Sequence, residues 1–289
     1  MHSKSFDAAL PPQWLAEFVG QPRIRQALEV GIAAAKRRGE AMESVLLLGA
    51  PGTGKGTLAA IIANELGVGF QSVAGANLKK KLDMSGLLSG IQPRQVLFID
   101  GFDAMAADVR EVAEEAITDF HLDITIGIGP GARVHSIPLQ RFTLIASSSK
   151  SALKKVPAEK FGFVFTLLEY TDEEMALIVR RCADILRMRV DDEAVAEIGR
   201  WANGTPGNVA GLLRRVRDYA EVHCGGMVSI ATVRSAINLM DTGTLLKKSA
   251  VNPSDAKMKI PPVDTAPSEA MTELLGLTGL AAVDRKSVV

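Results

Sequence analysis

The chain has 289 residues, 47% of them hydrophobic and 23% charged, so it carries enough apolar side chains for a globular core and is not a wholly disordered protein. Its 33 Lys and Arg balance its 33 Asp and Glu, which argues against a protein that holds nucleic acid by bulk positive charge. Two cysteines without ligand-like spacing, no apolar leader and no run of 18 apolar residues predict a cytoplasmic protein without a zinc site, a disulfide framework or a membrane span.

The first half of the chain alternates predicted helices and strands. Apolar residues at helical spacing predict a helix over 21–38. A short apolar strand over 44–48 then leads into a glycine-rich segment at 49–56, and a helix follows over 57–66. Two more apolar runs, 95–99 and 142–146, are typical of strands buried on both faces. This alternation predicts an α/β fold with a parallel sheet.

A hairpin and a helical domain follow from the later patterns. Residues 122–128 and 133–139 alternate in polarity around Gly129, Pro130 and Gly131, which predicts a β-hairpin inserted into the α/β layer. Thr171 and Glu174 form a capping-box pattern, after which four helices without strands are predicted over 171–188, 191–204, 206–223 and 230–240.

These patterns divide the chain into three parts. We predict a large α/β domain over 1–170, a small helical domain over 171–243 and a tail over 244–289. The tail is rich in Lys, Ser, Pro, Thr and Ala and lacks aromatic residues, which predicts disorder. Residues 269–283 leave open a short helix or docking motif within it.

The glycine-rich segment predicts a phosphate-binding loop. Residues 49–55, Gly-Ala-Pro-Gly-Thr-Gly-Lys, satisfy the first seven positions of the G-x-x-x-x-G-K-[ST] pattern, between a strand and a helix. Glycines let backbone N–H groups close on a β-phosphate, and the Lys55 ammonium can reach the β- and γ-oxygens. The alternative is a chance glycine-rich turn. Asp100 argues against it, because it ends the next apolar run, where a magnesium-side carboxylate is expected.

Two positions around this loop lack groups that hydrolysis uses. Gly56 stands where the pattern has the Mg²⁺-binding Ser or Thr, and Thr57 is rotated about 100° further around the helix. Gly101 follows Asp100. Proteins with this phosphate loop that hydrolyse nucleotides usually carry an acidic residue there, which activates water. Asp103 is the nearest carboxylate, past the strand end. We therefore expect ATP or ADP binding with a weakened Mg²⁺ site.

The order of these motifs resembles the RuvB family of bacterial Holliday-junction branch-migration AAA+ ATPases. The resemblance spans about residues 10–240. Besides the phosphate loop, it rests on the segments 17–21, 33–41, 96–100, 119–130, 142–144, 204–206 and 214–218.

The resemblance implies an AAA+ P-loop sheet with a helical lid, a hexameric ring around duplex DNA and a hairpin that docks a RuvA-like junction-binding protein. It implies Asp100 as the Mg²⁺ carboxylate, Ser148 as a sensor hydroxyl and Tyr170 as a pocket residue. The nucleotide-binding residues that it implies are Gly49, Pro51, Gly52, Thr53, Gly54, Lys55, Gly56, Thr57 and Tyr170, and the partner-hairpin residues are Ile126, Gly127, Ile128, Gly129 and Pro130.

The chain also departs from the family pattern. The N-terminal motif has no arginine beside Pro11, the short stretch 157–160 offers Lys160 where the family has two arginines, and Gly207 replaces a lid arginine. No winged-helix domain is recognisable in the tail, so DNA contact is expected to be weakened. A lost general base costs about 10²- to 10⁴-fold in rate, and a lost arginine finger about 10³- to 10⁵-fold.

Three functions stay open. We favour a nucleotide-binding protein of branch migration in DNA recombination and repair, with impaired or lost hydrolysis and a regulatory or scaffold role. The second is an active ATP-dependent motor in which Asp103, Thr57 and Lys160 replace the missing groups. The third is a binding module that joins a homo- or hetero-hexamer with motor subunits, or caps a RuvA-like protein through the hairpin.

Overall fold

A five-stranded parallel sheet forms the centre of the large domain. The computed structural model describes residues 10–126 and 133–241. Its strands are β1 Val45–Leu48, β2 Phe70–Ala74, β3 Val96–Asp100, β6 Thr143–Ser148 and β7 Phe163–Thr166. They lie side by side in the order β2, β3, β6, β1, β7. The predicted α/β class is confirmed, and β2 and β7 are two strands that the sequence patterns did not reveal.

Helices cover both faces of the sheet. They are α1 Pro22–Arg38, α2 Lys55–Leu66, α3 Lys81–Ser89 and α4 Ala107–Asp119. Val45 and Leu47 of β1 pack with residues of α1 and α2, whereas Leu46 and Leu48 pack with residues of α3 and α4. Successive side chains of a strand point to opposite faces, so a strand buried on both sides needs an unbroken apolar run.

The strand register brings the carboxyl ends of three strands to the same end of the sheet. Leu48 of β1 lies opposite Ser148 of β6, and Ala146 of β6 lies opposite Ile99 of β3. All three strands are parallel, so the residues after Leu48, Ile99 and Ala146 lie at the same carboxyl end of the sheet. The phosphate loop, Asp100, Ser147 and Ser148 therefore lie together.

The predicted hairpin is present after α4. Strand β4 (His121–Ile126) pairs antiparallel with β5 (Arg133–Pro138), from His121 opposite Pro138 to Ile126 opposite Arg133. Ile126 is the last residue of β4. The other predicted partner residues, Gly127, Ile128, Gly129 and Pro130, lie outside the described residues.

The lid is helical, as predicted. It contains α5 Asp172–Ile185, α6 Asp192–Trp201, α7 Val209–His223 and α8 Ile230–Asp241. The capping box is confirmed: the Thr171 hydroxyl accepts from the Glu174 N–H at 3.2 Å, and the Glu174 carboxylate accepts from the Thr171 N–H at 3.0 Å. The predicted tail lies outside the described residues.

Two details of the lid differ from the sequence analysis. Helix α5 ends at Ile185 rather than at Met188, because Arg187 turns to φ +54° and the Met188 N–H donates back to the Ala183 carbonyl. The next two residues form a short strand β8 (Arg189–Val190), which pairs parallel with β9 (Met227–Val228). Two-residue strands carry too little periodicity to be predicted. Within the described ranges, no helix combines the length and apolar character that crossing a bilayer requires.

Candidate nucleotide-binding site

The predicted phosphate loop connects the buried strand β1 to the N-terminus of α2, which begins at Lys55. Gly52 and Gly54 have φ values of +80° and +97°, in the left-handed region that side chains rarely adopt. The Thr53 hydroxyl donates to the Ala50 carbonyl at 2.8 Å and is buried. The loop therefore has the turn and the helix N-terminus that anion binding requires.

Lys55 lies inside this loop. Its ammonium donates to the carbonyl of Gly49 at 3.0 Å and to that of Ala50 at 2.8 Å. Burial lowers the pKa of Lys55, and the negative charges of Asp100 and Asp103 act against that shift. The amine is thus a hydrogen-bond donor held among loop carbonyls, with two carboxylates close enough to act on its charge.

Asp100 is held by Ser147. The Ser147 hydroxyl donates to Asp100 Oδ1 at 2.6 Å and accepts from the Gly101 N–H at 2.8 Å. Ser148, the predicted sensor hydroxyl, donates instead to the Ser149 carbonyl at 3.3 Å. Ser147 was not among the residues predicted from the sequence. The register of β3 and β6 could have indicated it. Ile99 lies opposite Ala146, so the residues that follow them, Asp100 and Ser147, lie next to each other.

Glycine occupies two positions of the site where functional side chains were expected, one in the phosphate loop and one after β3. Gly56 lies in the first turn of α2, so no hydroxyl is present there, and Thr57 follows it on the same turn. Gly101 follows Asp100 with φ +74° and ψ 55°. Its carbonyl accepts from the Ala104 N–H at 2.9 Å, which begins the 3-10 turn that carries Asp103. The position that lacks the expected acidic side chain therefore has a left-handed backbone, which favours glycine.

Tyr170 joins the start of the lid to the phosphate loop. Its hydroxyl donates to the Thr53 carbonyl at 3.2 Å. The side chain is buried, and burial, with a smaller contribution from Glu174, raises the pKa of the phenol. The phenol is therefore protonated at neutral pH and available as a donor.

The lid also contacts the loop through its main chain. The Gly207 N–H, in the 3-10 turn Pro206–Asn208, donates to the Gly52 carbonyl at 3.0 Å. The methyl group of Thr205 lies against Gly52 as well, since a Cβ built on Gly52 would lie 2.5 Å from Thr205 Cγ2. Gly207, where a lid arginine was expected, thus lies directly against the phosphate loop.

Lys160 lies in the 3-10 turn Ala158–Lys160 and pairs with Glu114 of α4 in the same chain, at 3.6 Å. Only 16% of the Glu114 side chain is exposed. The sequence indicates Lys160 as a candidate residue but does not predict its partner, because residues 46 positions apart meet only in the fold.

The space beside the loop is large enough for a small ligand. A cavity of about 500 Å³ is lined by Gly49, Ala50 and Thr53 together with residues 149–151 and 166–169. In the part of the chain that the structure describes, no group of three or more His, Cys, Asp or Glu is arranged to hold a metal ion. Mg²⁺ that binds with a nucleotide needs only one or two carboxylates beside phosphate oxygens and water, which Asp100 can supply.

Comparison with known proteins identifies the two domains. The family model described as the Holliday junction DNA helicase RuvB P-loop domain matches residues 10–167. The model of the RuvB AAA lid domain matches residues 170–242.

Individual proteins agree with these matches. The chain is 45% identical over 237 residues to the Holliday junction branch migration complex subunit RuvB of Solibacter usitatus, covering 82% of this chain and 69% of that protein. It is 43% identical to the subunit of Koribacter versatilis, covering 82% of this chain and 66% of that protein. Among solved structures, the RuvB Holliday junction branch migration motor of Thermotoga maritima superposes with a TM-score of 0.70 at 32% identity, over 81% of this chain and 74% of that one.

Proposed function

The chain belongs to the RuvB family, and we propose that it acts in Holliday junction branch migration as a nucleotide-binding subunit whose own hydrolysis of ATP is impaired or lost. Because it spans 69% and 66% of the lengths of these two relatives, the activity and partners of the whole proteins are proposals for this chain. The binding half of the proposal rests on the loop, Lys55 and Tyr170.

One observation supports the loss of hydrolysis. Three glycines, Gly56, Gly101 and Gly207, stand where a metal-binding hydroxyl, a water-activating carboxylate and a lid arginine are expected. Loss of the general base or of an arginine finger alone lowers the rate by about 10²- to 10⁵-fold. Lys160 is a weak substitute for an arginine, because it lacks the planar guanidinium and is paired with Glu114.

The proposed role follows from binding without turnover. Such a subunit would hold ATP or ADP with a weakened Mg²⁺ site, join active motor subunits in a mixed ring and regulate or scaffold their work. The hairpin β4–β5 supports docking of a RuvA-like protein, because it is a two-stranded sheet separate from the parallel sheet and residues 133–136 of β5 are exposed. The neutral overall charge is consistent with weak DNA contact by this chain.

An active branch-migration motor is the second candidate. The observation that favours it is Asp103, whose charge acts on Lys55 and which therefore lies near the phosphate loop. In that case Asp103 would take over the role lost at Gly101. The pairing of Lys160 with Glu114 counts against this candidate, because Lys160 is then engaged within its own chain.

Binding and turnover on one sample separate the candidates. We expect calorimetry to detect ADP binding with little dependence on Mg²⁺, and Lys55→Ala to abolish it. Lys79→Ala, at an exposed lysine in the segment before α3, is the matched control and should bind normally. Phosphate release with Mg²⁺ and junction DNA should stay at background. Turnover near one per second that Lys55→Ala abolishes would establish the motor, and absence of any nucleotide binding would refute the proposal.

A further inference from the structure

Two glycines meet where the lid touches the phosphate loop. The Gly207 N–H donates to the Gly52 carbonyl, and a Cβ built on Gly207 would lie 3.1 Å from Gly52 Cα and 3.3 Å from Gly52 O. In the other direction, a Cβ on Gly52 would lie 2.5 Å from the Thr205 methyl group. The approach is therefore a close main-chain contact that both glycines permit. We call the Gly52–Gly207 contact, with the Thr205 methyl group, the glycine clasp.

The clasp fixes the orientation of the peptide group between Gly52 and Thr53, because its hydrogen bond is made to the carbonyl oxygen of that group. In a trans peptide the C=O and N–H point in opposite directions, so a bond that fixes the Gly52 carbonyl also fixes the direction of the Thr53 N–H. In this structure the Thr53 N–H donates across the loop to the Ala50 carbonyl at 3.4 Å, a long bond that a bound phosphate would have to replace. The Tyr170 hydroxyl holds the next carbonyl, that of Thr53, and so fixes the Gly54 N–H. Two successive peptide groups of the loop are thus oriented by the lid and by the residue that precedes it.

This orientation bears on ligand binding because a phosphate loop binds phosphate chiefly through its main-chain N–H groups and its lysine, here Lys55. Peptide groups next to glycine rotate easily, and each misdirected N–H removes a bond to the phosphate. We propose that Gly207 is a positioning residue: through its main chain the lid fixes the phosphate loop in the shape that receives the β-phosphate. This inference rests on the proposed nucleotide binding.

The lid contains a matched control. Gly211 lies in α7, four residues after Gly207, and a Cβ built on it meets no atom within 4 Å. Gly207→Ala and Gly211→Ala therefore make the same chemical change in neighbouring turns, and only the first disturbs the clasp. Thr205→Ser removes the methyl group that lies on Gly52 without adding atoms, so it perturbs the clasp with little risk to folding.

The experiment compares nucleotides that differ by one phosphate. In the full chain we expect Gly207→Ala to raise the Kd for ADP about three- to tenfold, the range for one lost hydrogen bond, and to leave the Kd for AMP nearly unchanged. Thr205→Ser should have a smaller effect in the same direction, and Gly211→Ala should have none. A general loss of domain structure would weaken ADP and AMP alike, and that result would overturn the proposal.

A second measurement does not depend on nucleotide binding. Amide hydrogen exchange of residues 49–57 should be faster in Gly207→Ala than in Gly211→Ala, because the clasp protects and orders the loop. If the parent chain binds no ADP, the proposed function fails, and this exchange difference still tests the clasp. Equal exchange in the two variants would overturn the clasp even if the parent chain binds ADP.

Discussion

Replacement of Gly101 tests whether the left-handed backbone at this position disfavours the acidic residue that was expected there. Gly101 has φ +74° and ψ 55°, and a Cβ there would meet only Ala104 Cβ, at 3.7 Å, an ordinary contact. Gly101→Ala therefore adds no steric clash, and its cost is that of a left-handed L-residue, about 1–2 kcal/mol. For a protein of this size, about 1 kcal/mol corresponds to a change of about 2–4 °C in Tm.

Gly86→Ala is the matched control, since Gly86 is an exposed residue within α3 with no atom within 4 Å of a Cβ. In a helix interior the same change stabilises by about 0.5–1 kcal/mol. We thus expect thermal unfolding to show a lower Tm for Gly101→Ala and a higher Tm for Gly86→Ala. Gly101→Glu should be destabilised like Gly101→Ala. A Tm for Gly101→Ala at or above that of Gly86→Ala would refute the backbone argument.

Three further variants test other contacts of the two domains. Ser147→Ala should lower stability by about 2 kcal/mol in denaturant unfolding, because Asp100 and the Gly101 N–H both lose a partner. Tyr170→Phe should weaken ADP binding about threefold in calorimetry while leaving the fold intact, because the Thr53 carbonyl loses its donor. The Arg234 hydrogen bond, foremost among several contacts, lowers the pKa of Glu197, so its stabilisation is present above about pH 4.5 and is lost as the pH falls through the folded pKa. Glu197→Gln should therefore lower Tm at pH 7 and have little effect at pH 3.

The sequence patterns predicted the parts of the fold whose cause is local. The buried strands β1, β3 and β6 are apolar on both faces and the lid helices are amphipathic, so their periodicity was sufficient. Strand β2 was missed because it lies at an edge of the sheet and its residues are only partly buried. Strand β7, at the other edge, has four residues and follows a short turn, which gives little pattern.

The candidate site was predictable where it depends on spacing along the chain, as in the loop from Gly49 to Lys55. It was not predictable where the contact forms between distant segments. Ser147 rather than Ser148 holds Asp100, which only the register of β3 and β6 decides. The approach of Gly207 to Gly52 depends on how the lid meets the loop, and no local pattern encodes that.

A single-turnover experiment tests the central claim most directly. The purified chain, in excess over labelled ATP and supplied with Mg²⁺ and junction DNA, is quenched at intervals, and the bound nucleotide is separated into ATP and ADP. This measures the chemical step itself, free of slow product release. A chemical step at least about 10²-fold slower than one per second predicts that most of the bound nucleotide is still ATP after half a minute. Conversion to ADP within seconds, and its disappearance in Lys55→Ala, would contradict the account.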